Sequence, residues 1–183
     1  NKILESDGVI LPGVGAFKKA IATLQGTSLM SEIEKAVLSG VPTLGICLGM
    51  QLLLDESLEF GKTCGLSFIP GKVIPLPSLG VNQKKLKIPN IGWNKLLKND
   101  GGCGGPNNLL SGTSDESSFY FLHSFMVSPK EKNHILANYT CGGELVPAII
   151  NCGNIWGTQF HPEKSGPSGL QVLQNFTRFE ARL

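Results

Sequence analysis

The sequence predicts an α/β fold. Strands and helices alternate through the first half, the early strands are almost continuous apolar runs, and short strand-like runs crowd the second half. Residues 8–11 are apolar and are halted by Pro12-Gly13, as expected for a buried strand. A helical stretch follows from about Phe17. Ser28 stands where it could cap a second helix, since Glu32, Ile33, Val37 and Leu38 follow at helical spacing and Gly40 ends it. Residues 41–46 read as a second buried strand, and the unbroken apolar run 48–54 as a central helix. Strands this apolar need cover on both faces, which argues for a parallel sheet. Runs at 72–76, 88–96, 119–123, 134–139, 146–150 and 154–160 are separated by turn residues and predict an antiparallel extension. Residues 99–118, rich in Gly, Asn and Ser, read as a surface loop, and a last helix runs from about Gly169 to the C-terminus. No repeat or linker divides the chain, so residues 1–183 read as one domain.

Composition excludes several classes of function. Hydrophobic residues make up 41% and charged residues 16%, with a formal net charge of +2 and scattered cations. A nucleic-acid footprint needs clustered cations, so no nucleic-acid partner is expected. No apolar run approaches the roughly 18 residues of a membrane helix. The five cysteines, Cys47, Cys64, Cys103, Cys141 and Cys152, are odd in number and lack CxxC spacing. That argues against both a disulfide framework and a zinc site, and for a reducing, cytoplasmic setting. No metal or cofactor is expected.

The strongest local signal is Gly45-Ile46-Cys47-Leu48-Gly49. A Gly-x-nucleophile-x-Gly run between a buried strand and a helix describes a nucleophile elbow, a turn so tight that its flanks must be small. It would lift Cys47 out at the C-terminal edge of the sheet, where open α/β folds bind ligands. It would also set the sulfur at a helix N-terminus, where the dipole favours the reactive thiolate. The other four cysteines have no such context and read as ordinary small apolar residues.

His161-Pro162-Glu163 follows the apolar strand at 154–160. Pro162 biases His161 towards extended backbone, in which positions i and i+2 point the same way. His161 and Glu163 could therefore face one site as a base and its orienting carboxylate, the usual way of activating a thiol. His123 and His134 are the alternative bases; His134 lies among Lys and Asn, and His123 ends an apolar strand without a nearby carboxylate. Pro12-Gly13-Val14-Gly15 is not a dinucleotide loop, because Lys18 stands where that motif wants a third glycine. A backbone N–H from this loop, with that of Leu48, could instead hold a tetrahedral oxyanion.

Together these motifs resemble the class I, or triad, glutamine amidotransferases, and among them the glutaminase subunits of imidazole glycerol phosphate synthase. The matching stretches include residues 7–17, Gly45-Ile46-Cys47-Leu48-Gly49-Met50-Gln51, Ile91-Gly92-Trp93-Asn94, Tyr120-Phe121-Leu122-His123-Ser124 and Gln159-Phe160-His161-Pro162-Glu163-Lys164-Ser165, in the family's order. The resemblance implies a flavodoxin-like three-layer sandwich with a central, mostly parallel sheet and a small antiparallel extension. It implies attack of Cys47 on the glutamine side-chain amide, with His161 moving protons and Glu163 holding its ring. Gly13, Val14, Gly15 and Leu48 would form the oxyanion site. Gln51, Glu59, His123, Ser124 and Phe125 would surround the glutamine, with Glu59 pairing its α-ammonium. Trp93, Tyr120 and Lys164 would face a barrel-shaped synthase subunit, the cyclase, in a heterodimer that receives the ammonia.

The sequence departs from the family pattern in places. A strand–helix unit that the family carries before Asp7 is expected to be missing from this chain. Asn90 stands where the histidine-pathway subunit usually has His, and Phe125 where Tyr is common. These departures raise a second reading, an ammonia-supplying subunit for a sugar amidotransferase in surface-polysaccharide synthesis. A cysteine hydrolase acting on other γ-glutamyl substrates and a catalytically dead subunit are further alternatives; Gln51 and the Pro-Gly-Val-Gly loop argue against the first, and the intact triad against the second.

Overall fold

The computed structural model describes residues 2–99 and 108–179. In chain order the elements are β1 (Val9–Gly13), α1 (Phe17–Gln25), α2 (Leu29–Leu38), β2 (Thr43–Cys47), α3 (Leu48–Leu52), β3 (Leu54–Ser57), β4 (Thr63–Cys64) and β5 (Ile69–Pro75). They continue with β6 (Asn90–Lys95), β7 (Leu97–Lys98), β8 (Ser118–His123), β9 (Phe125–Pro129), β10 (Ile135–Cys141), β11 (Glu144–Cys152), β12 (Ile155–Thr158) and α4 (Gly166–Phe176).

Among the described residues the main sheet has the order β1-β2-β12-β11-β10-β7. Its β1–β2 and β2–β12 pairings are parallel, and its β12–β11, β11–β10 and β10–β7 pairings are antiparallel. The sheet is therefore mixed rather than mostly parallel. The hairpin that turns at Gly153, whose φ is 59°, brings β12 back beside β2, so the antiparallel half is built into the sheet itself. The remaining strands form two smaller sheets, β4-β3-β5-β9 and β6-β8.

Both faces of the main sheet are covered. Leu44, Ile149, Trp156, Val172 and Phe176 belong to one hydrophobic cluster, while Phe17, Ile33, Met50, Ile150 and Ile155 belong to another. Neighbours in sequence, Ile149 and Ile150 or Ile155 and Trp156, thus point into opposite cores, as the two-residue period of a strand requires. Strand β2 lies between β1 and β12 and is buried along its length.

Four expectations are corrected. Strand β1 is not buried: Ile10 is 45% exposed, because β1 lies at the sheet edge. The same position lets it run on through Pro12, since an edge strand tolerates a residue with no N–H to donate. The helix expected over 48–54 stops after Leu52, and Leu54 pairs with Ile69 in the second sheet. Ser28 occupies the N-cap of α2, but its hydroxyl bonds the Glu32 carboxylate at 3.0 Å instead of a backbone N–H. Helix α4 begins at Gly166 and ends at Phe176. Cys103 and part of the loop expected over 99–118 lie outside the described residues.

Candidate active site

Cys47 closes β2 with φ 54° and ψ −107° and leads directly into α3. A non-glycine residue held there stores roughly 1–3 kcal/mol of backbone strain. The flanking glycines show what enforces it. A Cβ on Gly45 would stand 2.7 Å from the backbone of Gly49 and Met50, and one on Gly49 would run into the Leu11 carbonyl oxygen. The small flanks expected of an elbow are thus dictated by backbone packing against β1 and α3.

The Cys47 sulfur is buried. It donates towards the Leu122 carbonyl at 3.7 Å and accepts from the Gln159 side-chain amide at 3.7 Å. Burial pushes the thiol up from its ordinary 9.0 to about 11, against the Leu48 N–H, which pulls it down; the Glu163 charge adds to the rise, while Gln159 and Lys164 oppose it. The helix-start N–H of Leu48 does favour the thiolate, but burial outweighs it and favours the thiol. Helix α3 is only five residues long, and its N-terminal N–H does not offset the lost hydration.

His161 leaves β12 in extended backbone, φ −95° and ψ 97°. Its Nδ1 donates to the Glu163 carboxylate at 2.8 Å. The two side chains meet, but not along an extended strand: Glu163 lies in the 3-10 turn Pro162–Lys164, which brings its carboxylate back to the ring. With Nδ1 protonated, the neutral ring carries a lone pair at Nε2, and that atom is buried with no hydrogen-bond partner. The thiol is turned to Leu122 and Gln159 rather than hydrogen-bonded to His161. Both residues line the same cavity, and an orphaned buried acceptor there is a site waiting for a proton.

That cavity has a volume of about 330 Å³ and includes Val14, Gly15, Leu48, Gln51, Glu59, His123, Ser124 and Phe125 in its wall. Gly13 does not reach it. Its α-carbon faces Leu48, where a Cβ would meet the Leu48 Cβ at 3.1 Å. Gly15, at φ 100°, takes the turn that brings Val14 round to the cavity. The Glu59 carboxylate accepts the Phe17 N–H at 2.6 Å and so caps α1, whose own N-cap, Ala16, has no side-chain acceptor. His123 is no base here: its Nδ1 faces the Phe125 carbonyl and its Nε2 the Tyr139 hydroxyl, both at 2.8 Å.

On the outer face of the β6–β8 ribbon, Trp93 is 57% exposed and meets Tyr120 edge-on, with ring centroids 5.9 Å apart. Lys164 is exposed on the short turn Pro162–Lys164. This turn is tied to β8 through the His161 N–H on the Tyr120 carbonyl at 2.9 Å.

Sequence reasoning missed Gln159, Phe60, Pro89 and Leu122 around the cavity. Gln159 is fully buried and links the Cys47 sulfur to Gln51, whose amide donates to its Oε1 at 3.1 Å. It sits two residues before His161, so the reasoning applied to Glu163 would have found it. Phe60 is 88% exposed at the rim, and no sequence pattern marks it.

An elbow cysteine over the strand ends of an α/β sheet, sharing a cavity with a carboxylate-bound imidazole, defines a thiol-dependent hydrolase or acyl-transfer enzyme. Comparison with known proteins narrows that class. The family model of class-I glutamine amidotransferases matches residues 2–179. The chain is 42% identical over 175 residues to the imidazole glycerol phosphate synthase subunit HisH 1 of Legionella pneumophila (strain Lens), spanning 96% of this chain and 82% of that protein. It is 43% identical over 175 residues to the subunit HisH of Geobacillus sp. (strain WCH70), spanning 96% of this chain and 80% of that one. The chain belongs to the class-I glutamine amidotransferase family and is a glutamine-hydrolysing enzyme. Among solved structures, PurLQS from Thermotoga maritima superposes with a TM-score of 0.61 at 17% identity, covering 91% of this chain and 77% of that one. A glutamine amidotransferase from the same organism gives 0.58 at 17% identity, covering 92% and 60%. These two speak for the α/β fold alone. No helix among the described residues is long and apolar enough to cross a membrane.

Proposed function

We propose that this chain is the glutaminase subunit of an imidazole glycerol phosphate synthase, releasing ammonia for a barrel-shaped synthase subunit in histidine biosynthesis. The carrying observation is that a buried Cys47 thiol and a His161 Nε2 without any hydrogen-bond partner line one cavity of about 330 Å³. The relatives' names, HisH subunits at 42–43% identity, support the synthase assignment. The same relatives leave the polysaccharide alternative, raised by Asn90 and Phe125, not favoured. The paired cores on the two faces of the sheet support the flavodoxin-like three-layer arrangement.

In the reaction His161 Nε2 takes the Cys47 proton as the sulfur attacks the glutamine side-chain carbon. The N–H groups of Leu48 and of the Val14–Gly15 turn receive the developing oxyanion. The proton on Nε2 then passes to the departing nitrogen, which leaves as ammonia and a glutamyl thioester remains. His161 Nε2 then deprotonates a water molecule that attacks the thioester; the carbon–sulfur bond breaks, glutamate departs, and the proton on Nε2 returns to the sulfur. Glu163 keeps the ring in the required tautomer and stabilises its charged form. Because the resting thiol is held near 11, proton transfer has to accompany attack. Glu59 faces the α-ammonium of glutamine. Trp93, Tyr120 and Lys164 form the docking face for the synthase subunit.

Replacing Cys47 with Ala should abolish glutamine hydrolysis and leave the thermal midpoint near that of the parent chain. Steady-state glutaminase assays with and without the synthase subunit should show activation by the partner, weakened by Trp93→Ala. Full activity of the isolated chain, unchanged by any synthase subunit, would overturn the subunit reading and leave a free-standing hydrolase.

A further inference from the structure

Behind the cavity runs a buried hydrogen-bonded chain that the chemical steps do not use. It ends on the Phe125 carbonyl, which can only accept, so His123 carries its proton on Nδ1 and donates there at 2.8 Å. The other nitrogen of the neutral ring must then accept, and the Tyr139 hydroxyl donates to it at 2.8 Å. The Tyr139 oxygen in turn accepts from the Asn90 side-chain amide at 3.2 Å. One carbonyl thus sets the direction of every bond in the series. Desolvation pushes His123 down to about 4, which keeps the ring neutral; its bond to the Phe125 carbonyl acts the other way, and the nearby His161 adds slightly to the lowering. Phe121 stacks on Tyr139 with ring centroids 4.2 Å apart, and Tyr139 is fully buried.

The Phe125 carbonyl is a junction. It also accepts from the Gln51 amide at 3.0 Å, and Gln51 leads through Gln159 to the Cys47 sulfur. Gln51, His123 and Phe125 all line the cavity, whereas Tyr139 and Asn90 do not. Asn90 lies directly opposite His123 across the β6–β8 pairing. Its neighbours Ile91 and Trp93 are exposed on the other face of that ribbon.

We propose that Asn90 and Tyr139 are positioning residues of the glutamine site. Acting through His123, they hold the Phe125 carbonyl, and with it Gln51, in the orientation that glutamine binding requires. This rests on the reading of the cavity as a glutamine site. Without the Tyr139 hydroxyl, His123 Nε2 is left buried and unpaired, and the ring recovers a partner only by changing tautomer or rotating. Either change releases the Phe125 carbonyl and removes one of the two fixed points of Gln51.

The test compares the full chain with Tyr139→Phe, Asn90→Leu and Asn90→His, the last keeping a side-chain N–H. Tyr139→Phe should raise KM for glutamine about tenfold while kcat stays within about twofold. Asn90→Leu, at a half-buried position where folding is less at risk, should act in the same direction, and Asn90→His should restore part of the loss. Nitrogen NMR of the imidazole rings should show that His123 loses its fixed Nδ1–H form in Tyr139→Phe. Labelling of Cys47 by a diazoketone analogue of glutamine should need about tenfold more reagent for half-saturation. Labelling of Cys47 by iodoacetamide, which carries no glutamine-recognising group, should be unchanged. An unchanged KM, or a parallel fall of kcat, affinity and thermal midpoint with no recovery in Asn90→His, would overturn the proposal and leave the glutaminase reading standing. A parent chain that neither hydrolyses glutamine nor reacts with the analogue would overturn both.

Discussion

Gln159 places its side-chain N–H 3.7 Å from the Cys47 sulfur while its amide oxygen accepts from Gln51 at 3.1 Å. The nucleophile is therefore anchored to the pocket wall by a fully buried amide. Gln159→Leu keeps most of the volume and removes both bonds. We expect kcat/KM for glutamine to fall by about one to two orders of magnitude, because the sulfur loses an N–H that favours its anionic form. Measured hydrolysis within twofold of the parent would mean that the amide is only a space-filler.

Burial sets the sign of the pH response at the nucleophile. An acid whose folded value lies above its ordinary 9.0, at about 11, stays protonated through neutral pH. Iodoacetamide labelling of Cys47, mapped by peptide mass, should keep climbing between about pH 8 and pH 10 without a plateau. The same shift should cost stability as pH rises from about 9 towards about 11, where the unfolded chain has lost a proton that the folded one retains. Denaturant titrations of the parent and of Cys47→Ala should diverge in that window.

At the acid end the sign reverses. His123, held down from 6.5 to about 4 by burial, refuses a proton that the unfolded chain accepts. Its contribution to stability should be complete above about pH 6.5 and lost as pH falls towards about 4. His123→Gln should flatten the pH dependence of the unfolding free energy in that interval by about one proton.

Glu59 should show two separable effects. Glu59→Gln keeps an oxygen for the Phe17 N–H but loses the charge, so glutamine affinity should drop about tenfold with little change in stability. Glu59→Ala should add the loss of a helix cap, about 1 kcal/mol in denaturant unfolding. Unchanged affinity in Glu59→Gln would confine Glu59 to capping.

The elbow should tolerate no side chain on its flank. Gly49→Ala drives a Cβ into the Leu11 backbone oxygen, and we expect a loss of at least about 3 kcal/mol or an insoluble protein. Gly26→Ala, at the end of α1 with φ −73° and a nearest approach of 3.4 Å, should be close to neutral. Circular dichroism melts of the pair would decide.

Much of the site could be read from local patterns. The elbow glycines and the nearness of His161 to Glu163 follow from spacing within a few residues, whereas the wall residues Gln51, Glu59, His123, Ser124 and Phe125 come from the resemblance to the family. Tyr139 and Phe60 could not be found that way, because their places depend on which strands come to lie side by side. The turn residues between the later runs mark them as antiparallel, but that β12 also pairs with β2, which makes one mixed sheet, depends on which strands lie side by side. The helix start that favours the Cys47 thiolate is visible in the sequence, while the burial that opposes it is not.

The hydrogen bond from Phe17 to Glu59, 2.6 Å long, joins the start of α1 to a carboxylate on the cavity wall. A cation arriving at that carboxylate competes for its lone pairs and weakens the hydrogen bond from the Phe17 amide. The Phe17 amide is thus a resident reporter nucleus, and its resonance in a nitrogen–proton spectrum should follow glutamine occupancy without any introduced label.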